Sequence, residues 1–283
     1  MFLLDGKETA NRLNEQLKLR IEDAIKTYGR QPKLDVILVG DHPASISYIK
    51  GKEKASKLVG MAYELHHLKE DSTQEELEDL IDKLNADPNV DGMLLQLPIP
   101  KHLDDVSLID RIDKDKDADG FHVVNQGNMY QKRKATYPAT PKGIMMLLDA
   151  YHIDVKGMNA TVIGRSNIVG FPIARLLMDR HATITVCHSK TKDLKEHTMR
   201  ADLIIAAVGV PKMLKKDMVK PGAIIIDVGI NRIDGKLVGD VDFDGLKDVV
   251  GYMTPVPKGV GPMTICALMD NTFSLYLMHE NRR

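Results

Sequence analysis

Gln96 sits in Met93-Leu94-Leu95-Gln96-Leu97-Pro98-Ile99-Pro100, a run otherwise free of polar side chains. A buried primary amide costs roughly 1–3 kcal/mol when unpaired. This one therefore either caps a core carbonyl or meets a ligand. Tyr48 and Lys52 stand one helical turn apart, and Ala55 and Val59 continue their stripe. That places the pair on an inward face, where an amine is paired, neutral or snorkelling to the rim. Lys50, Lys54 and Lys57 point elsewhere, into solvent. Asp119 lies in Lys116-Asp117-Ala118-Asp119-Gly120-Phe121-His122, where an acid before glycine reads by itself as turn chemistry.

A second group of residues lies further along the chain. Four turns each follow an apolar strand: Gly164-Arg165-Ser166-Asn167-Ile168-Val169-Gly170-Phe171-Pro172, His188-Ser189-Lys190-Thr191, Val208-Gly209-Val210-Pro211 and Val228-Gly229-Ile230-Asn231-Arg232. Together they describe the ligand edge of one parallel sheet. The first leads into a helix from about Gly170, whose free N–H groups and dipole favour phosphate. Its spacing is not G-x-G-x-x-G, and its glycines alternatively serve only a positive φ. An arginine beside the adenosine ribose suits a 2′-phosphate. Arg165 is such a candidate, unless it is merely a solvated surface residue. The end of the second strand, Cys187-His188-Ser189-Lys190, has no acid, which favours NADP over NAD.

The elements that must position these residues alternate between strand and helix. The spacing predicts a helix from about Lys7 to Tyr28 stopped by Gly29, and a strand over Leu34–Val39. A helix over Pro43–Val59 is closed by Gly60. Ser72/Thr73 with Glu75/Glu76 offer a capping box for a helix bearing Leu77, Leu80, Ile81 and Leu84. Val90–Leu97 reads as a strand buried on both faces, ended by prolines that have no N–H for a ladder. Thr140-Pro141 reads as an N-cap followed by proline, opening a helix through Ala150. Strands are expected at Ala160–Ile163, Thr183–Cys187, Asp202–Ala206 and Ala223–Asp227, with a last helix over about Pro262–Met278. This is βαβ alternation and hence a doubly wound α/β protein. The expected domains are 1–119 and 120–283, with the loop around Asn125–Tyr137 as their junction.

Composition narrows the function classes. With 39 Lys+Arg against 40 Asp+Glu there is no basic excess, so nucleic acid is not an expected partner. The two cysteines, Cys187 and Cys266, exclude a disulfide framework and any cysteine-based zinc motif. They suit a reducing compartment. The start, Met1-Phe2-Leu3-Leu4-Asp5, lacks a basic segment, and no apolar run approaches the ~20 residues of a membrane span. A cytoplasmic protein with no membrane partner is expected.

Seven blocks together resemble the bifunctional methylenetetrahydrofolate dehydrogenase/methenyltetrahydrofolate cyclohydrolase family over nearly the whole chain. They are Pro43-Ala-Ser-x-x-Tyr48-x-x-x-Lys52, Asp91-Gly-x-x-x-Gln96-Leu-Pro-x-Pro100, Lys116-Asp-x-Asp119-Gly-Phe-His, Gly164-Arg-Ser-x-x-Val-Gly-x-Pro172, Val228-Gly-Ile-Asn-Arg232, Gly239-Asp-Val241 and Thr254-Pro-Val-Pro-x-Gly-Val-Gly-Pro-Met-Thr264.

The resemblance implies a catalytic domain followed by a Rossmann-type NADP domain, with the last helix packing back on the first domain and a cleft holding both ligands. It implies Lys52 as acid/base group, Tyr48 placing the substrate, Gln96 tuning Lys52, and Asp119 binding the pterin N–H groups. It assigns Pro257 and Gly261 to the tetrahydrofolate substrate. Gly164, Arg165, Ser166, Ser189 and Ile230 fall to NADP. It also implies a homodimer and no metal.

The chemistry agrees with these residue types. Hydride leaves the methylene carbon for nicotinamide, and water then opens the methenyl cation to 10-formyltetrahydrofolate. Lys52 must be neutral beside that cation, which removes roughly 4 kcal/mol of the stabilisation its charge enjoys in water. A dehydrogenase-only member would be expected to lose the Tyr48–Lys52–Gln96 set. A catalytically silent paralogue would lose Lys52 or Asp119. This chain keeps all of them. It departs from the family at Lys258, usually glycine, at Ala139, often cysteine, and at Val123-Val124, often a proline-containing pair. If position 258 needs φ > 0, lysine strains it, and it adds a cation near the folate end.

Overall fold

The computed structural model describes residues 1–282. In chain order its elements begin with β1 (Phe2–Leu3), α1 (Gly6–Tyr28), β2 (Lys33–Val39), α2 (Pro43–Val59), β3 (Ala62–Leu68), α3 (Gln74–Ala86), β4 (Gly92–Leu95), α4 (Asp105–Arg111), α5 (Val123–Tyr130) and α6 (Ala139–Ala150). They continue with β5 (Asn159–Ile163), α7 (Gly170–Asp179), β6 (Thr183–Cys187), α8 (Leu194–Met199), β7 (Leu203–Ala206), β8 (Ile224–Asp227), β9 (Asn231–Ile233), β10 (Lys236–Val238), α9 (Phe243–Leu246), β11 (Tyr252–Met253) and α10 (Val260–Glu280). No helix among the described residues is long and apolar enough to cross a membrane.

The chain forms two compact units, each built from two stretches. One joins Met1–Asn11 to Thr140–Thr264; the other joins Arg12–Ala139 to the chain from Ile265 onward. The expected ranges, 1–119 and 120–283, divide the chain differently. β1 pairs with β11, which draws the N-terminus into the second sheet. Most of α10 goes the other way, because Leu268, Met269, Phe273 and Tyr276 share a core with Leu17, Ile21 and Leu34.

In the unit from Arg12, β2 lies between β3 and β4 in a parallel sheet. Alternation along β2 decides the layers. Leu34, Val36 and Leu38 enter one core, whereas Ile37 and Val39 enter the other, with Leu77 and Ile81 of α3. A sheet covered on both faces needs this near-continuous apolar run. Gly29 and Gly60, at φ 79° and 82°, stop α1 and α2. The predicted capping box is present at Thr73 and Glu76, with both reciprocal bonds made, worth about 1 kcal/mol.

Asp91 ties this unit together. Its carboxylate accepts from both terminal nitrogens of Arg30 at 2.7 and 2.6 Å and from the Lys33 N–H at 2.9 Å. His279 Nδ1 lies 3.2 Å away. Burial opposes the Asp91 charge, but Arg30, His279 and the Lys33 N–H outweigh it and hold the carboxyl below its usual range.

The other unit carries a six-stranded sheet in the order β1-β11-β8-β7-β5-β6, all parallel. Its strand ends bring the four turns to one edge. β9 and β10 form a separate antiparallel ribbon.

Four local expectations differ from the structure. The 90–97 strand is shorter, Gly92–Leu95, although the Gln96 N–H still donates to Ile37 O at 2.8 Å. The helix expected to be capped by Thr140 begins at Ala139, and Thr140 Oγ1 lies 3.0 Å from Thr264 Oγ1 instead. The segment read as a loop over Asn125–Tyr137 starts inside a helix, α5, capped by His122 Nδ1 on the Val124 N–H. β3 was not expected. It is an edge strand with few β-branched residues, so its sequence lacks the usual strand signal.

Candidate active site

The residues with acid/base chemistry meet at the carboxyl end of the three-stranded sheet. Lys52 projects from α2 and is only 6% exposed. Its Nζ donates to Gln96 Oε1 at 2.9 Å, just past the end of β4. Gln96 Nε2 in turn donates to Leu97 O at 2.8 Å. That second bond fixes which way the amide faces and presents oxygen to the amine. Of the two readings left open for Gln96, the carbonyl cap is present, and the amide oxygen meets Lys52.

Burial lowers the Lys52 pKa, while the Asp119 carboxylate opposes that shift. Burial conversely raises Asp119, against the pull of Lys52. Desolvation thus pushes both groups toward neutrality. A hydrogen bond to an amide oxygen does much less to retain the lysine proton than one to a carboxylate. Tyr48, one turn before Lys52, is half-buried, and burial raises its phenol.

The loop that carries Asp119 is held by its neighbours. Asp117 is 3% exposed. It accepts from the N–H groups of Gly120, Phe121 and His122 at 2.9, 3.1 and 2.9 Å, and from Asn125 Nδ2 at 2.9 Å. Lys116 Nζ donates to the carbonyls of Leu84, Asn85 and Asp87, the free end of α3. Asp119 itself makes no side-chain hydrogen bond among the described residues. Two acids two residues apart therefore have opposite uses: Asp117 is spent on backbone, whereas Asp119 is available. The sequence reading singled out only Asp119; the Asp-x-Asp-Gly spacing is the signal that an acid-held turn was present.

The nucleotide candidates lie in the other unit, on turns at the carboxyl ends of its strands. Arg165, Ser166 and Ser189 are exposed, and Ile230 is 48% exposed. The first turn approaches its neighbour closely. A methyl group on Gly164 would sit 2.2 Å from Ala207 O, and its φ is 121°, so this position requires glycine. Ser166 Oγ accepts from the Val169 and Gly170 N–H groups at 3.2 and 3.3 Å. Two donors expected to be free for phosphate at the start of α7 are thus already engaged by the serine. The donor set still fits a phosphorylated dinucleotide: a water-facing guanidinium, two hydroxyls and no acid at the end of β6. Pro257 and Gly261 are also in this unit, beside and within the start of α10. Lys258 adopts φ 84°, the left-handed conformation that the departure from glycine made a concern, and its carbonyl accepts the Lys7 N–H at 2.9 Å.

Asp35, Glu64 and His66 have metal-like spacing. Lys33 Nζ stands between two of them, 3.2 Å from Asp35 and 2.6 Å from Glu64. An ammonium already pairs with both carboxylates, where a metal ion would otherwise stand.

Comparison with known proteins agrees along the chain. The tetrahydrofolate dehydrogenase/cyclohydrolase catalytic-domain family model matches residues 4–119, and the NAD(P)-binding-domain model of the same family matches 138–280. The bifunctional protein FolD of Acholeplasma laidlawii is 53% identical over 279 residues, 99% of each chain. The bifunctional FolD methylenetetrahydrofolate dehydrogenase/cyclohydrolase of Campylobacter jejuni is 47% identical and superposes with a TM-score of 0.96, with 100% of both chains covered. The Trypanosoma brucei enzyme, solved with NADP cofactor and inhibitor, is 33% identical with a TM-score of 0.94, covering 98% of each chain.

Proposed function

The chain belongs to the tetrahydrofolate dehydrogenase/cyclohydrolase family, and from that membership we infer two successive reactions. It oxidises 5,10-methylenetetrahydrofolate to the 5,10-methenyl compound with NADP, and it hydrolyses that product to 10-formyltetrahydrofolate, within one-carbon metabolism. NADP, when bound, supplies the hydride acceptor. Arg165, Ser166 and Ser189 would hold its phosphates, with Gly164 and Ile230 as wall.

The observation that carries the site assignment is the buried Lys52 amine, bonded at 2.9 Å to a neutral amide oxygen and lowered in pKa. A neutral amine does not repel the methenyl cation. It takes a proton from water as the oxygen bonds to the methenyl carbon. The resulting ammonium returns that proton to the ring nitrogen as its bond to carbon breaks, while the added hydroxyl becomes the formyl carbonyl and its remaining proton leaves to solvent. Gln96 holds the amine and borders the substrate. Asp119, its carboxylate free of protein hydrogen bonds, accepts the paired N–H donors of the pterin, and Tyr48 places the substrate beside Lys52. The same membership carries a cytoplasmic homodimer as a proposal, which light scattering and cell fractionation test.

The test of the reaction is direct. Purified protein is mixed with methylenetetrahydrofolate and either NADP or NAD, and both NADPH formation and methenyl absorbance are followed. NADPH formation, with methenyl absorbance that rises and then decays faster than without enzyme, is expected. NADPH formation without accelerated decay would reduce the protein to a dehydrogenase.

A further inference from the structure

The turns after β7 and β8 are tied together by two buried acids. Asp240 is fully buried. Its Oδ2 accepts the N–H groups of Val208 and Gly209 at 2.7 and 2.9 Å, and its Oδ1 accepts Asn231 Nδ2 at 2.9 Å. Asp227, the last residue of β8, accepts the Gly229 and Asp240 N–H groups through Oδ1 at 3.0 and 2.9 Å, and that of Val241 through Oδ2 at 3.0 Å. Burial, with Asp240 nearby, pushes Asp227 up to about 6 despite those three donors.

Each acid fits only because a glycine faces it. A methyl group on Gly229 would lie 2.2 Å from Asp240 Oδ1, and one on Gly239 would lie 1.7 Å from Asp227 Oδ2. The blocks Val228–Arg232 and Gly239–Val241 are therefore interlocking halves of one device. Ile230 stands between them: the residue before it is bonded to Asp227 and the residue after it to Asp240.

We propose that Asp240 is a positioning residue for the dinucleotide, fixing Val208-Gly209 and Ile230 as one wall of the cofactor site without touching the cofactor. This rests on the cofactor-site reading above. The chemistry explains why the residue is an acid. A carboxylate offers acceptor lone pairs on both oxygens, so it serves both turns at once. An amide of the same shape keeps these contacts only if Asn231 turns its own amide over, and even then it gives up the charge that strengthens the bonds from Val208 and Gly209. A purely structural bond network would lower stability and both activities together. A positioning role falls on the cofactor alone.

The test uses Asp240→Asn, Asn231→Asp and the double variant in the full-length enzyme. The double variant exchanges the two side chains. The amide now at position 240 accepts from Val208 and Gly209 through its oxygen and donates through its NH₂ to the carboxylate now at position 231, which restores the pattern with its polarity reversed. Asp240→Asn is expected to raise the KM for NADP at least about tenfold, the size of a lost hydrogen bond to a charged group. Cyclohydrolase activity on added methenyltetrahydrofolate, which needs no hydride acceptor, should stay within about twofold. The double variant should recover most of the NADP affinity. Unchanged NADP binding in Asp240→Asn overturns the proposal, as does equal loss of both activities that the double variant does not rescue. Should Asp240→Asn fail to fold, half-exposed Asn231→Ala carries the decision. It should weaken NADP binding severalfold at constant cyclohydrolase activity, and unchanged NADP binding there also overturns the proposal. The wild type serves as control: if it does not reduce NADP with methylenetetrahydrofolate, the functional reading fails instead.

Discussion

The two candidate ligand sites solve opposite electrostatic problems. At the end of the three-stranded sheet, Lys52 is buried, and burial lowers its pKa and raises that of Asp119, each opposed by the charge of the other. At the end of the six-stranded sheet, Arg165, Ser166 and Ser189 stand in solvent. Acid/base work requires a proton that moves near neutral pH, and desolvation is what makes a lysine do so. Recognition of a phosphate requires a charge that does not move, and a hydrated guanidinium supplies it. The difference shows up in the supports as well. The reactive lysine sits on a 17-residue helix, whereas the recognition residues sit on turns held by hydroxyls, Ser166 Oγ accepting from Val169 and Gly170 and Thr191 Oγ1 accepting from the His188 N–H.

The sharpest way to break this contrast is Lys52→Met. Hydrolysis needs a base for water and an acid for the leaving nitrogen, whereas hydride transfer needs neither. Cyclohydrolase activity should fall at least ~10²-fold, with some dehydrogenase activity left, measured as methenyl decay beside NADPH formation. If the variant hydrolyses at the wild-type rate, Lys52 is a packed lysine and the buried site has no acid/base role. In the wild type, the hydrolysis rate should rise with pH as the amine loses its proton, and the rise should be complete below the ordinary lysine range, because burial lowers this pKa.

Asp119→Ala tests whether the free acid is the folate anchor. A charge-assisted bidentate contact is worth about 2–3 kcal/mol, so folate binding should weaken roughly 30- to 150-fold and both activities fall at low folate. NADP binding, read by fluorescence titration, should persist. Near-normal activity at low folate would remove Asp119 from the site.

On the solvent-facing side the expected effect is smaller. Arg165→Ala should shrink the preference for NADP over NAD by about tenfold, roughly the worth of one exposed charge-assisted contact. The ratio of kcat/KM values for the two cofactors is the measurement. Equal use of both by the wild type would leave the exposed arginine without a 2′-phosphate to read.

The smallest effect concerns stability. Lys258 holds φ 84°, where a side chain costs about 1–2 kcal/mol, partly offset in glycine by its greater freedom when unfolded. Lys258→Gly should raise the unfolding temperature by a few degrees at most, followed by calorimetry. A decrease would show that the lysine side chain stabilises its loop.

How much was legible in the sequence also differs between regions. The Pro43–Val59 helix was readable because proline, apolar stripe and terminal glycine agree on the same bounds. The Tyr48–Lys52 spacing then placed the lysine inward. Position 258 was identifiable as a strain point because lysine stood where the resembling family has glycine. The Asp117/Asp119 division of labour was not legible, since either acid satisfies a turn and only the folded loop decides which carboxylate meets the N–H groups. The same holds for Asp240: Gly239-Asp-Val241 stood out as a block, but its purpose is visible only beside Gly229, which lies across the β9–β10 ribbon in sequence and in direct contact in space. β3 and α5 escaped for a simpler reason. The strand is an edge with no β-branched residue, and the short helix contains Asn-Gln-Gly-Asn, which reads as turn.

The arrangement of α10 has a consequence for how the chain is made. As the polypeptide leaves the ribosome, the six-stranded unit has all its residues once Thr264 has emerged. The unit that begins at Arg12 does not. Its core still lacks Leu268, Met269, Phe273 and Tyr276, which surround Leu17, Ile21 and Leu34. Asp91, carrying Arg30 from early in synthesis, waits for His279. The half translated first is thus the half completed last, and until those residues arrive Leu17, Ile21 and Leu34 lack part of their cover. Chains truncated near residue 264 and released would be the ones that most need a chaperone.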